Sequence, residues 1–157
     1  MRKLLLVAAL AVACQTLCAQ SVEEIFENYK SKTDAEYVSV PSVLFKLAHI
    51  AKTENDDEGT RVAKSISSVR VLNLEDCSDK VKQEFRKTVQ NFRHEDYETI
   101  VSAKEGKDHA LILTKEKDGL IRELLVFNSD EEDCALIQIK GKIRPEDLNI
   151  AVDQYGK

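Results

Sequence analysis

The spacing of hydrophobic positions changes about half-way along the chain. In the first half, apolar residues recur mostly every three or four positions, which is typical of amphipathic helices. In the second half, apolar and polar residues alternate in short runs, and turn-rich sequences separate these runs. The pattern therefore predicts mostly helices first and a group of β-strands afterwards.

The first half is predicted to contain four helices and two strands. Ser21 and Glu24 form a capping-box pattern at the start of the first helix. Pro41 is suited to the first turn of a helix, and Ser78 can cap the clearest helix of the chain. In order, the predicted elements are helix 21–29, strand 35–40, helix 41–51, helix 60–68, strand 69–76 and helix 78–92.

The second half is predicted to form a four-strand meander followed by a helix. The strand-like runs are 97–106, 109–119, 120–128 and 134–143, and the helix is 144–155. Short connections between the runs imply antiparallel pairing, and Asp118-Gly119 is a typical hairpin turn. The order of elements predicts an α+β fold: a single domain over residues 20–157, with a largely antiparallel sheet and helices covering one face.

Residues 1–19 have the layout of a signal peptide. Arg2 and Lys3 give a positively charged start, and Leu4–Ala13 is an apolar run of ten residues. As a helix this run spans about 15 Å, half of the ~30 Å of a bilayer core. The run therefore predicts export and not a transmembrane helix, and the chain has no second apolar stretch of the required length.

Two cleavage positions compete in this leader. A cut after Ala19 leaves a soluble protein, whereas a cut before Cys14 leaves a lipid anchor on that residue. The residues before Cys14 fit a lipobox, except that alanine stands where leucine is usual. The lipid cut would also keep Cys18 and leave three unmodified thiols, whereas the soluble cut leaves only Cys77 and Cys134. We therefore favour the soluble cut.

The balance of charges excludes one large class of function. Without Arg2 and Lys3, the mature chain has 21 basic and 28 acidic residues, a formal net charge of −7. Residues of both signs are interspersed, so the sequence offers no basic face for the phosphates of a nucleic acid. No nucleic-acid partner is therefore expected.

Three segments carry a resemblance to a known family: "YVSVPSVLFKLA", "SVRVLNLED" and the paired hairpins that end in "IKGKIRPEDL". Over roughly Ile25 to Ile150, the chain resembles the domain of unknown function 4252 family. The resemblance implies a small exported protein of the Bacteroidetes cell envelope. It implies no established activity, so no catalytic residue is carried over. Family members encoded near sigma-factor-type regulators suggest a link to envelope signalling.

Two acidic loops are candidates for calcium. Glu54, Asp56 and Glu58 alternate before a glycine, as at the start of an EF-hand. Ser65 stands at the twelfth position, however, where the motif needs a bidentate glutamate, so a solvated loop is the favoured interpretation. The second loop is the acidic tip 129–133. The metal candidates are Asp56, Glu58, Asp130 and Asp133.

The cysteines and histidines do not form a motif for catalysis. Cys77 and Cys134 can close a disulfide across 57 residues, or they can be two separate half-buried thiols; both alternatives stay open. Acidic neighbours raise the pKa of both thiols, which argues against a nucleophile. His49, His94 and His109 lack the spacing of metal ligands. We expect no cofactor.

The sequence therefore predicts a non-catalytic interaction or regulatory protein whose partner is another envelope protein. The contact surface would be an open sheet edge or a sheet face that the helices leave uncovered. Ile121, Leu125 and Phe127 could form part of such a patch, but they lie on the same side of the strand-like run 120–128 and are predicted to be core. The alternatives are a small-ligand or calcium-binding periplasmic protein, and an enzyme with an unrecognised hydrolytic site.

Overall fold

Four helices and six strands make up most of the described part of the chain. The computed structural model describes the backbone of residues 20–51, 58–92 and 95–148, and the side chains of residues 20–47, 61–92 and 95–148. The helices are α1 (Val22–Tyr29), α2 (Ser42–Ala51), α3 (Glu58–Ser65) and α4 (Asp79–Asn91). The strands are β1 (Glu36–Val40), β2 (Ile66–Asn73), β3 (Glu98–Glu105), β4 (Asp108–Lys117), β5 (Leu120–Ser129) and β6 (Cys134–Ile143).

The six strands form one sheet in the order β1-β2-β6-β5-β4-β3, and every pair is antiparallel. Strands β3 to β6 are the predicted meander. Asp118 and Gly119 have φ values of 57° and 71°, which is the backbone that a two-residue hairpin turn requires. The predicted α+β class and the four-strand meander are therefore confirmed. Strand β2 lies beside β6, so β1 and β3 are the two edges of the sheet.

Helices α1 and α4 pack on one face of the sheet and enclose the core. The capping box of α1 forms as predicted, with the backbone N–H of Glu24 donating to the Ser21 hydroxyl at 3.2 Å. Both helices turn an apolar face towards the strands because their apolar residues follow the helical period. The fully buried side chains include Ile25, Phe26, Leu72, Phe85, Leu125, Phe127 and Leu136.

The predicted helix 60–68 is too long at its C-terminal end. Helix α3 ends at Ser65, and Ile66 already belongs to β2, which pairs Ile66 with Gly141 of β6. A Cβ atom at Gly141 would clash with the Ser65 backbone carbonyl, so glycine allows the two segments to approach. Long-range pairing with β6 thus overrides the local helical pattern after Ser65.

The N-cap of α4 differs in detail from the prediction, and the predicted C-terminal helix is described only in part. Ser78 occupies the N-cap position of α4, but its side chain makes no capping hydrogen bond. After β6, residues 145–148 are helical, and the rest of the predicted helix 144–155 lies outside the described residues.

Candidate functional site

The face of the sheet opposite α1 and α4 carries an apolar row that crosses all six strands. Residues that are cross-strand partners point to the same face of a sheet. The successive partners in this row, from β1 to β3, are Val38, Val71, Ile137, Val126, Ile112 and Val101. None of the six is buried; Val38 is 56% exposed and Val101 is 40% exposed. We call this side of the sheet the open face and these six residues its central row.

Two further rows flank the central row on the open face. The first is also apolar over most of its length: Val40, Val69, Ile139, Leu124, Thr114 and Glu98. Two of its members are already buried, because Leu124 is 8% exposed and Thr114 is 3% exposed. The second is small and polar: Glu36, Asn73, Ala135, Asn128, Ala110 and Ala103. The carboxylates Glu36 and Glu98 therefore stand at diagonally opposite corners, with uncharged residues between them.

Helix α2 adds apolar side chains that are also exposed. Val43, Leu44 and Leu47 are 56%, 51% and 57% exposed. The helix follows β1 directly in the chain and contacts β2. Large apolar side chains are therefore exposed at the end of the sheet as well as on it.

The open face includes none of the three residues considered as a partner patch in the sequence. Ile121, Leu125 and Phe127 are 4%, 0% and 0% exposed, so the prediction that they are core is confirmed. The missed residue of the central row, Val126, lies between Leu125 and Phe127. The run of four apolar residues 124–127 could have revealed this, because a continuous apolar run indicates a strand with two apolar faces.

The covered face contains one chain of polar contacts between α1 and the centre of the sheet. The Arg70 guanidinium donates to Glu23 at 2.9 Å and to the side-chain oxygen of Gln138 at 2.7 Å. Gln138 in turn donates to Glu123. The hydrogen bond from Arg70 lowers the pKa of Glu23, and the Arg70 guanidinium also lies 4.1 Å from the centre of the Phe26 ring. These contacts satisfy buried polar groups and hold α1 on the sheet.

Cys77 and Cys134 are both buried free thiols in the structure. Cys77 Sγ donates to the Thr33 carbonyl at 3.3 Å, and Cys134 Sγ lies 3.6 Å from the Asp130 carbonyl oxygen. Burial raises the pKa of Cys134 to about 11. Burial, followed by the charge of Asp34, raises the pKa of Cys77. Neither environment therefore favours a reactive thiolate at neutral pH.

The acidic tip between β5 and β6 uses its first carboxylate to shape the turn. Asp130 Oδ1 accepts the backbone N–H of Glu132 at 2.9 Å and that of Asp133. Asp56 and the side chain of Glu58 lie outside the described residues. Among the residues that are described, no three His, Cys, Asp or Glu side chains form a group that could hold a metal ion. Calcium binding stays a prediction, and the unfolding temperature with and without millimolar Ca²⁺ tests it.

His109 is the one predicted candidate histidine whose side chain the structure describes. Its Nδ1 is buried and has no hydrogen-bond partner. Burial, together with the charge of Lys104, lowers the pKa of His109, so the ring is neutral at pH 7. Both Cys77 and Cys134 use backbone carbonyls as their acceptors and not this ring.

A small cleft lies where α2, the end of α3 and the end of β6 meet. It has a volume of about 290 Å³. Phe45 and Ile66 give it an apolar wall, and four cationic side chains line it. The cationic side chains are those of Lys46, Lys64, Arg122 and Lys142. This composition suits a small molecule with an apolar body and an anionic group.

These features define a two-layer α+β protein with α1 and α4 packed on one sheet face and a row of accessible apolar side chains across the other. Residues 29–151 match the family described as domain of unknown function (DUF4252), and the chain belongs to that family. No curated protein and no solved structure matches the chain. None of the helices in the described ranges is long and apolar enough to cross a membrane.

Proposed function

We propose that this protein is an exported, non-catalytic protein of the cell envelope that acts by binding another protein through its open face. The observation that carries the proposal is the central row, an apolar stripe across six strands in which every residue remains accessible. Soluble proteins rarely expose continuous apolar patches larger than a few hundred Å², and such patches mark contact surfaces.

Covering the open face would remove exposed valine and isoleucine side chains from water, which favours binding. Burial of apolar surface contributes about 25 cal/mol per Å². The central row consists only of valine and isoleucine, whose branched side chains form a shallow surface against which another flat surface can pack. The open face therefore suits a broad, apolar protein surface better than a small ligand, which needs a concave pocket.

The described titratable groups support a non-catalytic role. The thiols of Cys77 and Cys134 stay protonated at neutral pH because burial raises their pKa values. The buried Nδ1 of His109 has no hydrogen-bond partner. A nucleophile needs a base within hydrogen-bond reach, and neither thiol donates to that ring.

The proposal of export rests on the leader pattern of residues 1–19. Intact mass of the protein recovered from the envelope fraction tests it. A chain that begins at Gln20 supports the soluble cut, a diacylglyceryl adduct on Cys14 supports the lipid anchor, and an uncut chain in the cytoplasm contradicts export.

Affinity capture with matched variants tests the proposed binding. Val126→Lys places a charge in the middle of the central row. Ser102→Lys adds the same charge at an exposed position of β3 whose cross-strand partner, Leu111, belongs to the covered face. We expect a specific envelope protein, which can be the untagged protein itself, to be retained by the wild type and by Ser102→Lys and lost by Val126→Lys. Equal retention by both variants would contradict the proposal.

The basic cleft favours a second candidate function, the binding of a small amphipathic anion. Decanoate is a suitable probe because it combines a carboxylate with an apolar tail. We expect decanoate to raise the unfolding temperature of the wild type more than that of Lys142→Ala, and decanol to have no such preference. An equal shift in both proteins would remove this candidate.

A further inference from the structure

The central row of the open face exposes apolar side chains to water, so a partner that covers it would gain stability. We propose that the open face is closed by a second copy of this chain, packed face to face about a two-fold axis that lies between the two sheets. This inference rests on the proposed function and names its partner.

The accessible part of the open face is close to the smallest area that a specific interface uses. Neighbouring strands lie about 4.8 Å apart, so six strands are about 29 Å wide. Three rows of side chains at about 6.8 Å per row extend about 20 Å along the strands. The three rows cover about 600 Å², and without the two buried positions, Leu124 and Thr114, about 530 Å² remain on each copy. The total of about 1,060 Å² clears the ~1,000 Å² that a biological interface needs.

The pattern of the face is compatible with pairing to itself. A two-fold axis between the sheets, running either along the central row or along the strands, places the central row against its own copy. Every contact in the middle of the interface is then between valine and isoleucine side chains. Two sheets that pack in this way lie about 10 Å apart, and their branched side chains interdigitate.

The two acidic corners avoid each other in both of these arrangements. When the axis runs along the central row, Glu36 lies opposite Val40 of the other copy. When it runs along the strands, Glu36 lies opposite Ala103, and Glu98 lies opposite Val40. No carboxylate therefore meets a carboxylate, and the interior of the interface contains no ionisable side chain that would select a charged partner.

The net charge supplies an independent test of a second copy. Two mature chains that each carry a formal charge of −7 repel one another over distances comparable to the Debye length, about 8 Å at physiological ionic strength. Added salt screens this repulsion and should strengthen a dimer of identical chains. A basic partner would show the opposite dependence, because salt would weaken its attraction to an acidic protein.

Sedimentation velocity of the protein expressed from the full chain tests the inference, with circular dichroism to confirm folding. Across the micromolar range, we expect the wild type to dimerise, and to dimerise more tightly as NaCl is raised. Val126→Lys should raise the dimer dissociation constant at least about a hundredfold, because each dimer would bury two unpaired ammonium groups. Ser102→Lys should leave the dissociation constant unchanged. Val126→Thr, which keeps the side-chain shape, should weaken the dimer if Val126→Lys fails to fold.

Two results would overturn the inference. One is a dimer that a folded Val126→Lys variant leaves intact, which would place the contact elsewhere. The other is a wild-type monomer at every concentration and salt. In the second case, a different envelope protein captured by the wild type and by Ser102→Lys, but not by Val126→Lys, would leave the proposed function standing. A monomer without such a partner would contradict the inference and the proposed function together.

Discussion

The two faces of one sheet are built from the same strands but from different side chains. The covered face presents leucine and phenylalanine, such as Leu125 and Phe127, whereas the open face presents valine and isoleucine, such as Val126 and Ile137. Long and aromatic side chains reach into the space below the helices and fill it. Short branched side chains make a flatter surface. The choice of apolar residue therefore distinguishes the face that packs within the chain from the face available to a partner.

The largest expected difference between the faces is in stability. Phe127→Ala should lower the free energy of unfolding by about 3–5 kcal/mol, because it removes a fully buried ring and leaves a cavity. Val126→Ala, its neighbour on the open face, should lower it by about 1 kcal/mol or less. Urea unfolding at a protein concentration below that of self-association measures both values. Equal losses of unfolding free energy in the two variants would show that Val126 is packed as tightly as Phe127, which would contradict an accessible central row.

The second expectation concerns the thiols on the covered side. A pKa of about 11 for Cys134 reduces its thiolate fraction at neutral pH on the order of a hundredfold. Native Cys134 should therefore react with iodoacetamide at least that much more slowly than a cysteine introduced by Ser102→Cys. Alkylation followed by mass spectrometry measures the rates. After unfolding without reductant, two reactive thiols in the chain that begins at Gln20 would confirm free cysteines, and none would reveal a Cys77–Cys134 disulfide.

A smaller effect is expected from the polar contacts below α1. Gln138→Ala should lower the free energy of unfolding by about 1–3 kcal/mol, because it leaves Arg70 and Glu123 without their shared partner. Ser102→Ala, at an exposed position of β3, should change it by less than about 0.5 kcal/mol. If Gln138→Ala proves as mild as this control, the polar chain does not help to hold the helices on the covered face.

The smallest expected effect is a dependence of the unfolding free energy on pH. Arg70 lowers the pKa of Glu23 in the folded state, so this pair adds stability above the unfolded pKa of about 4.3. The contribution is lost as the pH falls through the lowered folded pKa. Because Glu23 is largely exposed, we expect Glu23→Gln to destabilise by about 1 kcal/mol or less at pH 7, and by less at pH 3. If the difference in unfolding free energy between the wild type and Glu23→Gln stays the same from pH 7 to pH 3, the Arg70–Glu23 pair contributes no pH-dependent stability.

The meander was the most predictable part of the molecule. Strand β6 occupies residues 134–143 as predicted, and the turn at Asp118-Gly119 has the expected backbone. Alternating side chains and turn residues act over a few positions, so they can be read locally. The prediction began this strand at residue 69, whereas β2 begins at Ile66. The prediction was wrong because the pairing of Ile66 with Gly141 depends on a segment far away in the chain.

From the sequence, the type of contact surface could be predicted, but the residues that form it could not. The sequence indicated an uncovered sheet face as a contact surface, but it did not indicate Val71, Ile112, Val126 or Ile137 as its members. Each of these residues lies within a strand that is apolar on both faces. Deciding which face is accessible requires knowing where α1 and α4 dock, and their amphipathic patterns say only that they dock somewhere.

The sequence by itself determined the local elements, the antiparallel meander and a leader-like start, because periodicity, turn residues and charge are properties of neighbouring positions. Only the tertiary structure decided that β2 lies beside β6, that both helices pack on the same face and that the central row of the other face remains accessible. These features depend on which distant segments meet. Burial is a property of the assembled sheet, and two apolar faces of a strand are equivalent until the helices cover one of them.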